Sequence, residues 1–219
     1  MHQGRRVFIT GGTGYMGSRL IPLLLARGHE VVALVRPGAE RKPPPGCTAV
    51  PGDALDGGTY ESSAGGCDTF VQLVGVAHPS PSKAAEFDSI DRKSGMEAIR
   101  VAARHGIGHF VYVSVAHPAP VMRAYIEARS ACDDAIRASG LNATILRPWC
   151  VLGPGHRWPY LLVPFYRIAQ LIPSTRRGAL RLGLVTVRQM VAALAEAVEK
   201  PAHGVKIVEV PQIRNCQQM

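Results

Sequence analysis

The chain has 219 residues, 47% of them hydrophobic, 6% aromatic and 19% charged, with a formal net charge of +9. That length supports one substantial core of a soluble α/β protein, and the longest apolar run, Tyr160 to Tyr166, meets Arg167 too soon to span a bilayer. The positive balance favours anionic ligands or surfaces, while the scarcity of aromatic residues and the lack of a recognition motif argue against nucleic acid.

In chain order, Arg6-Val7-Phe8-Ile9 predicts a first strand and Arg19 to Leu25 a helix. Between them lies Thr10-Gly11-Gly12-Thr13-Gly14-Tyr15-Met16-Gly17. A strand, a tight glycine turn and a helix N-terminus together form a cradle for a dinucleotide pyrophosphate. Gly11 makes the turn, Gly14 removes a side chain where phosphate approaches, and Gly17 lets the helix close on the sheet. Glu30 to Val35 predicts the second strand, after which Pro37, Gly38 and Pro43-Pro44-Pro45 force a loop. Further strands are expected at Cys47 to Val50, Thr69 to Val74, His109 to Ser114, Asn142 to Arg147 and Val205 to Val210.

Helices are expected from Ser82 to Arg104, where Gly95 weakens the pattern, from Met122 to Ser139, ended by Gly140, and from Val187 to Val198, stopped by Pro201. The alternation predicts a Rossmann-type, doubly wound, mostly parallel sheet in three α/β/α layers. One domain is expected over residues 1–219, with 152–183 as a small cap on the substrate side. Cys47, Cys67, Cys132, Cys150 and Cys216 are odd in number and lack metal-ligand spacing, and the chain enters its first strand almost at once. A reducing, cytoplasmic setting without a targeting segment or resident metal is expected.

In such a sheet, ligands sit beyond the carboxyl ends of the strands. Arg36 closes the second strand where a carboxylate would meet the adenosine ribose, with Arg41 and Lys42 nearby. A cation there favours the 2′-phosphate of NADP, with NAD as the alternative and a plain surface arginine as the other reading. Asp53 follows the third strand and could accept from the adenine amino group or cap the next turn. Ser114 ends the fifth strand, and Tyr125 and Arg129 share a face of the next helix. A tyrosine hydroxyl can move a proton during hydride transfer while a serine holds the substrate oxygen.

With these pieces, Val35-Arg36, Gly52-Asp53 and Leu146-Arg147-Pro148 before Leu152-Gly153-Pro154-Gly155, the chain resembles an atypical or extended short-chain dehydrogenase/reductase. It is most similar to NmrA-like proteins and to the NADPH-binding accessory subunit of respiratory complex I. The resemblance implies that Gly11, Thr13, Gly14, Tyr15, Met16 and Gly17 bind pyrophosphate. It gives Arg36 to the adenosine phosphate, Asp53 to adenine, and Val74, Gly75 and Val76 to the ribose and nicotinamide approach. Ala54 and Pro148 join the cofactor-contacting positions, as do Ser114, Tyr125 and Arg129. Tyr125 becomes the proton donor or acceptor, Ser114 its partner, and Arg129 stands where active members usually carry lysine. Arginine keeps the charge but does not relay a proton in the same way. Two functions follow: an oxidoreductase acting on a small or apolar carbonyl or alcohol, or a non-catalytic NADP-binding sensor or assembly subunit.

Gly75-Val76-Ala77-His78-Pro79 and Ser114-Val115-Ala116-His117-Pro118 form a local repeat, and His156 follows the sixth strand. These histidines could exchange protons in the cleft, hold a metal together, or simply cap strands or meet solvent. Trp149, Trp158, Tyr160 and Phe165 could wall a substrate site or roof the cap.

Overall fold

The computed structural model describes residues 4–39, 42–119, 121–154 and 172–216. Seven parallel strands form one sheet: β1 (Arg6–Thr10), β2 (Glu30–Val35), β3 (Thr48–Pro51), β4 (Thr69–Gln72), β5 (His109–Val113), β6 (Ala143–Arg147) and β9 (Val205–Glu209). Their order is β3-β2-β1-β4-β5-β6-β9. The chain builds outward through β2 and β3, then crosses back to β4 and builds the other way. The switch between β1 and β4 opens the crevice where such sheets bind ligands. Each strand of the expected sheet is present. The predicted fourth strand runs two residues too far: past Gln72 the chain keeps one bond to β1, Leu73 N to Thr10 O at 3.3 Å, and turns into the loop above it.

The two faces of the sheet are filled differently. Helices α1 (Gly17–Ala26) and α7 (Val187–Glu199) cover an aliphatic face built on Val7, Ile9, Val111 and Leu146, packing Leu24 and Leu194 against it. The other face carries a row of aromatics placed side by side by strand register, Phe8 opposite Phe70 and Phe70 opposite Phe110. Their ring centroids are 5.0 and 5.5 Å apart, and all three are fully buried. Burying each ring contributes roughly 2–3 kcal/mol. Helices α2 (Glu61–Ala64), α4 (Lys93–Arg104) and α5 (Arg123–Ala138) close over this face.

The long helix expected from Ser82 is broken. A 3₁₀ turn at Pro81–Lys83 and the short α3 (Ala84–Glu86) lead into a π-helical stretch, Phe87–Arg92, before α4 begins. A π turn adds a residue to the helical repeat and re-aims the side chains on it, often at functional sites. Gly95, which weakened the sequence pattern, lies where α4 meets α5. A Cβ there would sit 2.5 Å from Cys132 Sγ, so glycine permits the close approach.

Cys150–Leu152 (β7) and Leu184–Thr186 (β8) pair in a separate two-stranded parallel sheet, followed by α7. Thr186 caps α7, accepting from Gln189 N while the Gln189 side chain accepts from Thr186 N. A ladder the sequence pattern did not reveal thus brings together the two ends of the 152–183 segment. Of its interior, α6 (Pro173–Arg181) is described, and α8 (Val210–Asn215) ends the described chain. His156, Trp158, Tyr160, Phe165 and Arg41 lie outside the described residues. All five cysteines are free thiols.

Candidate functional site

The glycine loop has the backbone a cradle requires. Gly11 is left-handed at φ +70°, and Gly14 N donates to Gly11 O at 3.0 Å. An added Cβ on Gly17 would collide with the Gly11 carbonyl and the Gly12 backbone, so only glycine lets α1 begin there. No side chain caps α1 at Met16. The helix therefore presents its N-terminal end to the crevice without a built-in acceptor. Thr13, Gly14, Tyr15 and Met16 are half-buried along the loop. Arg19 folds back over the Tyr15 ring at 4.4 Å and donates to Tyr15 O.

Arg36 is exposed after β2 and makes no ion pair among the described residues. Asp53 is exposed, and its Oδ1 accepts from Leu55 N at 2.9 Å, so one oxygen caps the turn as the alternative reading had it. Ala54 packs against the aromatic core.

The fold brings Val74, Gly75, Val76, Ser114, Tyr125 and Arg129 into one neighbourhood, and adds a residue that the sequence reading missed, Asp91. The Asp91 carboxylate is wholly buried on the π-helical stretch. It accepts from Val76 N at 2.9 Å and from Arg129 Nη2 at 2.5 Å. Arg129, 5% exposed, also donates to Val113 O at 2.7 Å and approaches the Tyr112 hydroxyl. Gly75 lies directly over the guanidinium, where an added Cβ would collide with Arg129 Nη2 and come within 3.0 Å of Asp91 Oδ1. Glycine in the loop after β4 is thus the complement of arginine on α5. One signal for Asp91 was available: it stands one helical turn beyond Phe87, on the face turned to the core, where a carboxylate needs a cation.

Burial opposes the Arg129 charge, but Tyr112, Tyr125 and Asp91 outweigh that and hold the guanidinium well above the ordinary arginine range. Burial likewise pushes the Tyr112 hydroxyl far up, against the pull of Arg129, so it stays protonated. Arg129 lies over the face of the half-buried Tyr125 ring at 5.4 Å, and Phe87 packs on that ring at 5.0 Å. Arginine therefore fixes the tyrosine through its ring and holds the two loops together through its donors.

Ser114 is 1% exposed, and its hydroxyl has no hydrogen-bond partner among the described residues. A buried hydroxyl without a partner is costly unless something else completes it. Below these groups runs a polar relay in the core: Thr10 Oγ1 to Gln72, Gln72 Nε2 to Ser94 Oγ at 3.0 Å, and Ser94 Oγ to Asp91 O at 3.3 Å.

A second buried cluster adjoins the first. Asp133, also on α5, accepts from Arg147 Nε and Nη2 at 3.1 and 2.8 Å, and His117 Nε2 stands 3.7 Å from the same oxygen. Pro148 is buried, and its carbonyl accepts from Ala116 N at 2.9 Å, tying the loop after β5 to the end of β6. His78 is exposed, with φ 51°. Trp149 packs against the aliphatic core, which favours the packing role.

The NAD(P)H-binding family profile matches residues 11–154, which span the glycine loop, Asp91, Ser114, Tyr125 and Arg129. The chain is 27% identical over 217 residues to ceramide reductase of Caulobacter vibrioides, covering 95% of this chain and 65% of that protein. It is 27% identical over 204 residues to a 2-alkyl-3-oxoalkanoate reductase of Stenotrophomonas maltophilia, covering 81% of this chain and 58% of that one. The chain therefore spans somewhat under two thirds of these relatives. Among solved structures, the Bordetella bronchiseptica enzyme WbmH in complex with NAD+ superposes with a TM-score of 0.70 at 26% identity, covering 93% of this chain and 75% of that one. Other neighbours of the same fold also hold NAD.

These complexes correct the expectation of NADP drawn from Arg36. Arg36 is exposed, and an arginine at the end of β2 does not by itself select a 2′-phosphate over a plain ribose. No helix among the described residues is long and apolar enough to cross a membrane. The protein binds a dinucleotide, is related to oxidoreductases and epimerases of diverse small molecules, and belongs to the NAD(P)H-binding family, within the extended short-chain dehydrogenase/reductase and epimerase-dehydratase superfamily.

Proposed function

We propose that this protein is an NAD-dependent oxidoreductase that interconverts a small or apolar carbonyl compound and its alcohol. The observation that carries this reading is the orphaned Ser114 hydroxyl, buried on the same edge of the sheet as the glycine loop. The dinucleotide supplies or accepts the hydride when bound. Gly11, Thr13, Gly14, Tyr15, Met16 and Gly17 hold the pyrophosphate against the start of α1, and Val74, Gly75 and Val76 line the approach to the reacting end. Ser114 donates to the substrate oxygen and fixes its position. Tyr125 gives its hydroxyl proton to that oxygen during reduction and takes one during oxidation. Arg129 positions the Tyr125 ring, and Asp91 holds Arg129 and the Val76 amide together. The similarity to reductases named for ceramide and for a 2-alkyl-3-oxoalkanoate supports an apolar substrate.

A second reading, a dinucleotide-binding sensor or assembly subunit akin to NmrA-like proteins or the complex I accessory subunit, is favoured by one observation. The arginine standing where active members carry lysine is engaged by Asp91 and by backbone carbonyls.

The test is a calorimetric NAD titration followed by a screen of alkyl ketones and secondary alcohols for turnover. Tyr125→Phe should lower kcat by about a hundredfold or more while the Kd for NAD stays within about threefold. Absence of NAD binding by the folded wild type would sink both readings. NAD binding without turnover would favour the sensor.

A further inference from the structure

Positive charge is not spread evenly along this chain. Between Asp134 and Glu196 there is no acidic residue and no lysine, but eight arginines, so this segment carries nearly all of the net charge of +9. Two of them, Arg137 and Arg147, are paired with Asp134 and Asp133. Arg176 and Arg188 are exposed and make no ion pair among the described residues, and neither does Arg123 at the start of α5.

The helices that carry these cations meet the carboxyl edge of the sheet. α5 begins directly above the carboxyl end of β5. α7 runs in the same direction as α1, since Glu199 at its far end pairs with Arg27 just past the end of α1 at 2.9 Å. Both therefore begin at the carboxyl edge. α6 is tied to the same rim, because Arg181 Nη2 donates to Pro118 O at 3.0 Å in the loop that leads to α5.

An independent observation marks this rim. The large apolar side chains that stand exposed among the described residues are Val121 at 54% and Ile172 at 45%. Val121 lies two residues before Arg123, and Ile172 four before Arg176. Arginines spread over three elements do not converge on one small anion, and the apolar side chains that accompany them along the chain gain nothing from a soluble polyanion. A flat surface with anionic headgroups over an apolar interior satisfies both features.

We propose that the rim formed by Val121, Arg123, Ile172, Arg176 and Arg188 docks on an anionic lipid bilayer, which places the mouth of the cofactor cleft against the membrane. The docking is peripheral and needs no spanning helix. It does not rest on the redox reading, because a sensor with the same rim would bind equally well.

The experiment is sedimentation of the full chain with phosphatidylcholine vesicles, with and without phosphatidylglycerol. Binding should require the anionic lipid and weaken as salt rises. Each positive charge removed near such a surface lowers partitioning about fivefold. The double variant Arg176→Glu, Arg188→Glu should therefore lose at least about a hundredfold, with an unchanged thermal transition and unchanged NAD affinity. Val121→Ser with Ile172→Ser should lose severalfold even at low salt. The proposal is overturned if neutral and anionic vesicles bind alike, if neither binds, or if the charge-reversed protein partitions like the wild type. Binding to soluble polyglutamate or heparin with none to vesicles would also overturn it, in favour of an acidic macromolecular partner.

Discussion

The glycine loop and the Arg129 pocket open on the same edge of the sheet, yet they are held in shape by opposite means. The loop is a backbone object: eight consecutive residues, a left-handed Gly11 and a Gly17 where any side chain would strike the chain itself. The pocket is a side-chain object assembled from four stretches, with Asp91 on the π turn, Gly75 after β4, Val113 at the end of β5 and Arg129 on α5. A backbone cradle tolerates changes in its surroundings and fails when a glycine is lost. A buried ion pair fails when either partner is lost, because the survivor is left charged and unsolvated.

That contrast can be broken most forcefully at Asp91. Asp91→Ala should destabilise the protein by about 3–5 kcal/mol, read from denaturant unfolding, because Arg129 keeps its charge in a buried site. Adding Arg129→Met should restore much of the loss. If Asp91→Ala is nearly neutral, the pocket is not organised by the pair. The amino edge of the sheet offers a control that touches neither region. His109 is buried there, and burial, aided by Arg5, lowers its pKa to about 4. Its neutral form is the one the fold accepts, so stability is intact above the unfolded pKa of about 6.5 and falls as pH drops from there towards 4, by up to about 3 kcal/mol. His109→Gln should flatten that part of the stability–pH curve and leave NAD affinity unchanged.

Gly14→Val sharpens the comparison from the other side. A Cβ there stands 3.1 Å from Gly11 O, a tight but survivable contact, so the sheet should remain while the approach for phosphate closes. NAD affinity should drop by about ten- to a hundredfold, equivalent to roughly 1.4–2.7 kcal/mol, with a thermal transition close to wild type. The smallest effect is expected at Arg36. Arg36→Ala should change the Kd for NAD by less than about threefold in paired titrations, and a larger loss would mean that this exposed cation does contact the adenosine end.

How legible each region was in the sequence follows the same division. The loop could be read residue by residue, because glycine spacing between a strand and a helix is a local pattern. Ser114, Tyr125 and Arg129 could be placed near one another by topology, since strand ends at a single edge share a cleft. Asp91 fell on the core-facing side one turn past Phe87, but it could not be paired with Arg129, because the two lie 38 residues apart on different helices and no local period links them. The β7–β8 ladder was missed because its partners are three residues each and lie more than thirty residues apart, too short for alternation to register. The NADP expectation failed for a related reason: residue type at the end of β2 says what could bind but not whether anything aims the side chain.

The sequence by itself determined the class of sheet, the order of its elements and the phosphate-binding turn, because hydrophobic period and glycine stereochemistry act within a few bonds of each residue. Only the tertiary structure decided that Arg129 meets Asp91 beneath Gly75 and that the Ser114 hydroxyl is left without a partner among the described residues. Those arrangements depend on distances between segments far apart in the chain, which are set when the sheet and helices pack and not by any local run of residues.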